Sequence, residues 1–181
     1  VKVDETTNKA SIFIALVEGE KIRVRRILFA GNARISSGRL RKAMATKQGW
    51  IFTAGYYRPE VLEEDIERLK SLYRLEGYSD VQATSAVSFD EKKRWLVVTM
   101  TVEEGPQYLV GNIVFRGASQ ISEADLRKRL ELVSGKPFSQ EKLSQDVSKL
   151  QSAYFASGYM AADVEPATAL NPTTNRVDVT Y

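Results

Sequence analysis

The feature that most constrains this chain is that it repeats itself. Residues 24–44 lie over residues 110–130 at an offset of 86, and nine of the 21 positions are identical. Val24, Ile27, Phe29 and Gly31 fall on Val110, Ile113, Phe115 and Gly117, and Leu40-Arg41-Lys42 falls on Leu126-Arg127-Lys128. Further along the offset drops to 81. Leu62, Asp65, Ile66, Leu69, Tyr73, Gly77 and Tyr78 then fall on Leu143, Asp146, Val147, Leu150, Tyr154, Gly158 and Tyr159. The first copy therefore carries five extra residues, which we place near Trp50–Arg58 as a longer helix–helix loop. Self-similarity of this kind means recurring supersecondary units rather than one large core.

The ends fit the same frame. Val1–Glu5 matches Val87–Glu91, and Glu18-Gly19 matches Glu104-Gly105. Arg176–Tyr181 is aligned with Arg94–Thr99 at an offset of 82. The expected organisation is a truncated preceding unit over 1–19, a complete unit over 20–105, and a second unit over 106–181 that stops just before its Glu-Gly. The ragged ends and the absent start Met predict a cut from a longer tandem array. No secretory leader is read at Val1-Lys2-Val3-Asp4.

Each unit opens with a short apolar-rich run ending at Gly31 or Gly117, which reads as a strand. Ser36 and Ser122 are placed as helix N-caps, and Ser122 to Asp125 has capping-box spacing. Leu62, Ile66, Leu69 and Tyr73 are spaced 4, 3 and 4 apart, one face of a helix. Pro59 suits its first position and Gly77 its stop. Early acids (Glu60, Glu63, Glu64, Asp65) and late bases (Lys70, Arg74) suit the helix dipole. Two alternating segments, Val81–Val87 and Trp95–Val102, close the unit. The predicted class is α+β: tandem β-α-α-β-β units, each a three-stranded mixed sheet covered on one face by two helices.

Composition narrows the chemistry. The 181 residues include no His and no Cys, so the commonest general base, thiol nucleophiles and most zinc and copper sites are disfavoured. Carboxylate pairs such as Glu63 and Glu67 have no nucleophile or metal pattern beside them. No catalytic, cofactor or metal residues are assigned. No 18-residue apolar run exists to span a membrane as a helix.

The repeat resembles the POTRA (polypeptide-transport-associated) domain. The carrying residues are Ile27-x-Phe29-x-Gly31-Asn32 with its copy at Ile113-x-Phe115-x-Gly117-Ala118, Leu69-x-x-x-Tyr73-x-x-x-Gly77-Tyr78 with its copy from Leu150, and Val102-Glu103-Glu104-Gly105. The tandem copies look most like the periplasmic arm of BamA-type outer-membrane barrel-assembly factors. That resemblance implies a scaffold and not an enzyme, placed in the periplasmic portion of an outer-membrane protein and followed by a membrane β-barrel. It implies unfolded outer-membrane proteins and accessory assembly lipoproteins as partners. Arms of two-partner secretion, autotransporter assembly and organellar import channels are the alternative. A basic nucleic-acid-binding module is the remote one, and nucleic acid is not expected, because no phosphate-clamping Gly-X-X-Gly loop is present.

By the same resemblance, strands are received at the edge formed by roughly Tyr78–Phe89. The partner-binding residues are expected to be Tyr78, Asp80, Val81, Gln82, Ala83, Thr84, Ser85, Ala86 and Val87. Small side chains and no proline leave this backbone open to an incoming strand. Pro166 interrupts the copy. An ordinary solvated edge is the plain alternative. A second feature is charge: ten bases and no acid lie from Lys21 through Arg58. Arg23, Arg25, Arg26, Arg34, Arg39, Arg41 and Lys42 form a basic surface for anionic headgroups or an acidic partner, or else a solvated face balanced by Glu60–Glu67. Trp50, Phe52, Tyr56 and Tyr57 either meet a partner or fold back on their own helices. Gly105 and Pro106 are expected to form a restricted hinge.

Overall fold

A computed structural model describes residues 2–4, 9–11, 21–49, 55–90 and 94–181. Strands β1 (Lys2–Asp4) and β2 (Lys9–Ser11) form a short antiparallel pair. Two β-α-α-β-β units follow. The first runs through β3 (Arg23–Ala30), α1 (Ser37–Ala43), α2 (Pro59–Leu75), β4 (Gln82–Phe89) and β5 (Trp95–Glu103). The second runs through β6 (Leu109–Val114), α3 (Glu123–Arg127), α4 (Gln140–Ala156), β7 (Ala167–Asn171) and β8 (Arg176–Thr180). Each sheet is mixed. The last strand lies in the centre, parallel to the first and antiparallel to the second, giving the orders β3-β5-β4 and β6-β8-β7.

The helices form where the periodicity puts them. The Ser36 side chain accepts from the Arg39 N–H and Ser122 from the Asp125 N–H, so each short helix has its N-cap. Leu62, Leu69 and Tyr73 of α2 are buried against Val24, Ile27, Leu96, Val98 and Met100. Leu143 and Leu150 of α4 are buried against Val110 and Val179. Burying each large apolar side chain contributes about 1.5–3 kcal/mol, so these stripes hold the helices to one face of each sheet.

Side-chain alternation corrects one alignment. Leu96 pairs with Val24 and Val98 with Ile27, as Val177 pairs with Val110 and Val179 with Ile113. The closing strands therefore correspond at an offset of 81, not 82, and buried Tyr181 takes the place of buried Met100. A one-residue slip would turn every side chain of the strand to the other face.

Two buried carboxylates pin the loops between the helices. Asp65 accepts from the N–H groups of Ala45 (2.6 Å) and Thr46 (2.8 Å). Asp146 accepts from those of Glu131 (2.5 Å) and Leu132 (3.1 Å), and from the Tyr181 hydroxyl (2.8 Å). Both aspartates are fully buried. Burial pushes the Asp65 carboxyl up, but hydrogen bonds from Thr46, Ala45 and Arg68 outweigh it and hold the group below the usual carboxylate range.

Candidate functional site

Each sheet has two edges, and the loops treat them differently. On β3, the Val24 N–H donates to Gly55 O and the Gly49 N–H to Val24 O, both at 2.8 Å. The Tyr57 N–H donates to Ile22 O, and the Arg41 guanidinium to Ile27 O. The outer side of β3 is thus taken up over its opening half, from Ile22 to the Ile27 carbonyl. The second unit covers β6 in the same way. The Val110 N–H donates to Lys136 O, the Gly135 N–H to Val110 O, and Arg127 to Ile113 O. Gly135 and Lys136 are adjacent, whereas Gly49 and Gly55 flank five residues. The insertion is therefore 50–54, narrower than the segment expected. Trp50 and Phe52 lie outside the described residues. Tyr57 packs on the core, and Tyr56 is 41% exposed.

The opposite edge is open. Among the described residues β4 pairs only with β5, and β7 only with β8. Strand β4 begins at Gln82, so Tyr78, Asp80 and Val81 precede it. Tyr78 and Val81 are buried, and Asp80 accepts from the Tyr108 hydroxyl. Ala83 is buried opposite Val102, whereas Gln82, Thr84, Ala86 and Val87 are exposed and Ser85 is half-buried. The open edge is therefore Gln82–Phe89, eight residues with no charge and no proline. Its far end has an unusual property. Val87 and Phe89 stand opposite buried Val98 and Leu96, on the core side of the sheet, yet Phe89 is 48% exposed. The sheet overhangs its helices here. The second unit repeats the overhang with Leu170 opposite Val177, but β7 spans five residues and follows Pro166.

The basic run divides. Arg39 pairs with Glu76. Arg41 is tied to the Ile27 carbonyl and lies over the Phe29 ring, as Arg127 does with Ile113 and Phe115. The Arg34 N–H donates to Glu104, which also receives the Tyr73 hydroxyl at 2.9 Å. Burial, followed by the hydrogen bond to Glu104, pushes the Tyr73 phenol far up. Lys42 is exposed, and Arg23, Arg25 and Arg26 are exposed on β3. The seven bases thus form several environments and not one continuous field.

A cleft of about 510 Å³ in the second unit is lined by Phe115, Leu126, Leu150, Tyr154, Val164 and Tyr181. In the first unit, Val102 and Glu104 pack at the corresponding place, against Gly31 and Tyr73. At the junction of the units, Gly105 has a φ of +69°, and Gly105 and Pro106 are both exposed.

The family model for POTRA, described as a surface antigen variable number repeat, matches residues 22–105 and 108–181. The chain belongs to the POTRA family. Its POTRA repeats are similar to outer membrane protein assembly factor BamA of Neisseria meningitidis, 23% identical over 94% of this chain. The BamA of Nitratidesulfovibrio vulgaris is 26% identical over the whole chain. The chain spans only 22% and 24% of the length of these two relatives. Among solved structures, the crystal structure of Haemophilus influenzae BamA POTRA3-5 superposes with a TM-score of 0.62 at 20% identity. That match covers 89% of this chain and 65% of the other, and it shows the same fold.

Proposed function

We propose that this POTRA pair belongs to the periplasmic portion of an outer-membrane protein assembly factor and acts there as a binding scaffold. Its work is to receive and orient unfolded outer-membrane proteins by adding their strands to β4, and to present docking surfaces to accessory lipoproteins beside an attached β-barrel. Kinship with BamA factors supports the setting. The observation that carries the mechanism is the asymmetry of the first sheet, with the opening half of β3 covered by its own loop and β4 open over eight residues. An open edge offers a row of unpaired N–H and C=O groups to a strand. The apolar overhang at Val87 and Phe89 gives the incoming strand a place for its own apolar side chains. Strand β7 is shorter and begins behind Pro166, so the first unit is the better acceptor.

The test uses adjacent proline substitutions, Ser85→Pro and Ala86→Pro. Successive N–H groups of a strand point to opposite sides, so one substitution removes a ladder donor and the other a free-edge donor. The free-edge variant should keep its melting temperature and lose binding of an alternating apolar/polar strand peptide. Binding by the unmodified chain should survive salt, because main-chain hydrogen bonds dominate it. A folded free-edge variant that binds the peptide as tightly as the parent overturns β4 as the acceptor.

A further inference from the structure

At the opening end of the first sheet, cations gather round two aromatic rings. The Arg23 guanidinium lies 5.7 Å from the centre of the Tyr56 ring and 5.8 Å from that of Trp95, and Lys21 Nζ lies 5.5 Å from Tyr56. The three residues are neighbours across the backbone: Arg23 bridges Tyr56 on one side and pairs with Trp95 on the other. Arg94 joins Lys21, Arg23 and Trp95 around one shallow recess. Arg26 and Leu28 continue this face of β3, and Leu28 is 47% exposed.

None of Lys21, Arg23, Arg26 or Arg94 has an ion-pair partner among the described residues. Asp90 Oδ1, the nearby described carboxylate, is turned to the N–H groups of Arg94 and Trp95. The fold does not demand this composition. The second unit builds the same three-position ladder from Pro137, Leu109 and Arg176, with one cation and no aromatic ring. The residues matching Lys21 and Arg94 are the uncharged Gln107 and Asn175.

We propose that this end of the first unit is a docking surface for anionic phospholipid headgroups. Guanidinium groups match phosphate oxygens, and the rings hold Arg23 in place without neutralising it. Trp and Tyr settle at the headgroup level of a bilayer, beside Lys and Arg that meet its negative surface. The apolar members, Trp95 and Leu28, separate this reading from an acidic protein partner, which would use the cations alone. The surface shares no residue with the β4 edge, so it stands or falls independently of strand binding.

The test is co-sedimentation of the chain with vesicles of phosphatidylglycerol and phosphatidylethanolamine, against vesicles of phosphatidylcholine alone. The chain should partition onto the first and not the second. Each cation near such a surface strengthens partition about fivefold, so Arg23→Ala with Arg94→Ala should weaken it about 25-fold. Lys128→Ala with Arg129→Ala removes the same charge from the second unit and should leave it unchanged. Trp95→Tyr, which keeps a ring, should bind better than Trp95→Ala, with both checked for folding by thermal melts. Equal loss in the two double variants overturns the site, because net charge alone would then govern. Absence of vesicle binding beside tight, Arg23-dependent binding of soluble polyglutamate overturns the lipid and assigns an acidic polypeptide.

Discussion

The Tyr108 hydroxyl donates to Asp80 Oδ2 at 2.6 Å, tying the start of the second unit to the turn that precedes β4 in the first. Two further bonds cross the same junction: Tyr108 N–H to Gly77 O at 2.8 Å, and Gln107 Nε2 to Glu76 O at 2.9 Å. Gly77 itself, with a φ of +87°, leaves room that a Cβ would take only 2.5 Å from Tyr108 O. The hydrogen bond to Asp80 raises the Tyr108 phenol above the usual tyrosine value, so it remains a donor throughout the neutral range. These contacts oppose free rotation about Gly105 and Pro106. Asp80→Ala combined with Gln107→Ala should broaden the distribution of inter-unit orientations while each unit stays folded. Residual dipolar couplings check this: the parent should fit one alignment tensor and the variant two. One shared tensor in both proteins would show that these side chains do not restrain the hinge.

The paired glycines that end the first strands should respond unequally to alanine. Both have positive φ, +80° at Gly31 and +73° at Gly117. A Cβ at Gly31 would stand 2.0 Å from Val102 O, while one at Gly117 meets nothing within 4 Å. Gly117→Ala should therefore cost only the left-handed conformation, about 1–2 kcal/mol. Gly31→Ala adds a backbone clash that must displace the central strand, and should cost clearly more than its partner. Urea unfolding of the two variants compares them directly, and equal midpoints would mean that β5 yields without strain.

The buried aspartates give a stability prediction with a pH signature. Asp65→Ala leaves the Ala45 and Thr46 N–H groups without their acceptor and should cost about 3 kcal/mol. The Asp65 carboxyl is held below its ordinary value of 3.8 in the folded state. The unfolded chain therefore takes up a proton first as pH falls. The stabilisation is complete above that value and is lost as pH drops through the lower folded one. Denaturation midpoints should show the parent's advantage over Asp65→Ala shrinking below about pH 4. A gap that is constant down to about pH 2 would assign the loss to packing instead.

These aspartates also show where sequence reasoning stops. Asp65 stands among Glu60, Glu63 and Glu64, and its charge alone reads as one more helix-dipole acid. Only the repeat, which places Asp146 at the same position, separates it from them. The helical stripes were legible because apolar spacing and burial are one property, as were Ser36 and Ser122 because a cap needs its own residue type. The covered edge of β3 was not legible. Its partners at Val24 are the backbone groups of Gly49 and Gly55, which no side chain announces. The basic run was legible as charge but not as geometry. Arg39 and Arg41 are drawn to Glu76 and Ile27 O, and Lys21, Arg23 and Arg26, which have no ion-pair partner among the described residues, gather with Arg94, 71 residues beyond Arg23.

Under the strand-addition proposal, Phe89 is the residue of the open edge that distinguishes one ligand strand from another. The ring lies on the core side of the sheet, opposite Leu96, but no helix covers it. An added strand would place its own inward side chains beside Phe89 and Val87, extending the core by one row. Phe89→Ser removes that row without disturbing a filled core, so stability should change by less than about 1 kcal/mol. Affinity for an alternating apolar/polar peptide should fall about tenfold, the equivalent of about 1.4 kcal/mol of lost apolar contact. Affinity for a peptide of the same length with only polar side chains should not change, because it uses the backbone alone. Calorimetric titration of both peptides into both proteins makes the comparison. Equal losses for the two peptides would mean that the ring holds β4 in shape rather than contacting the strand.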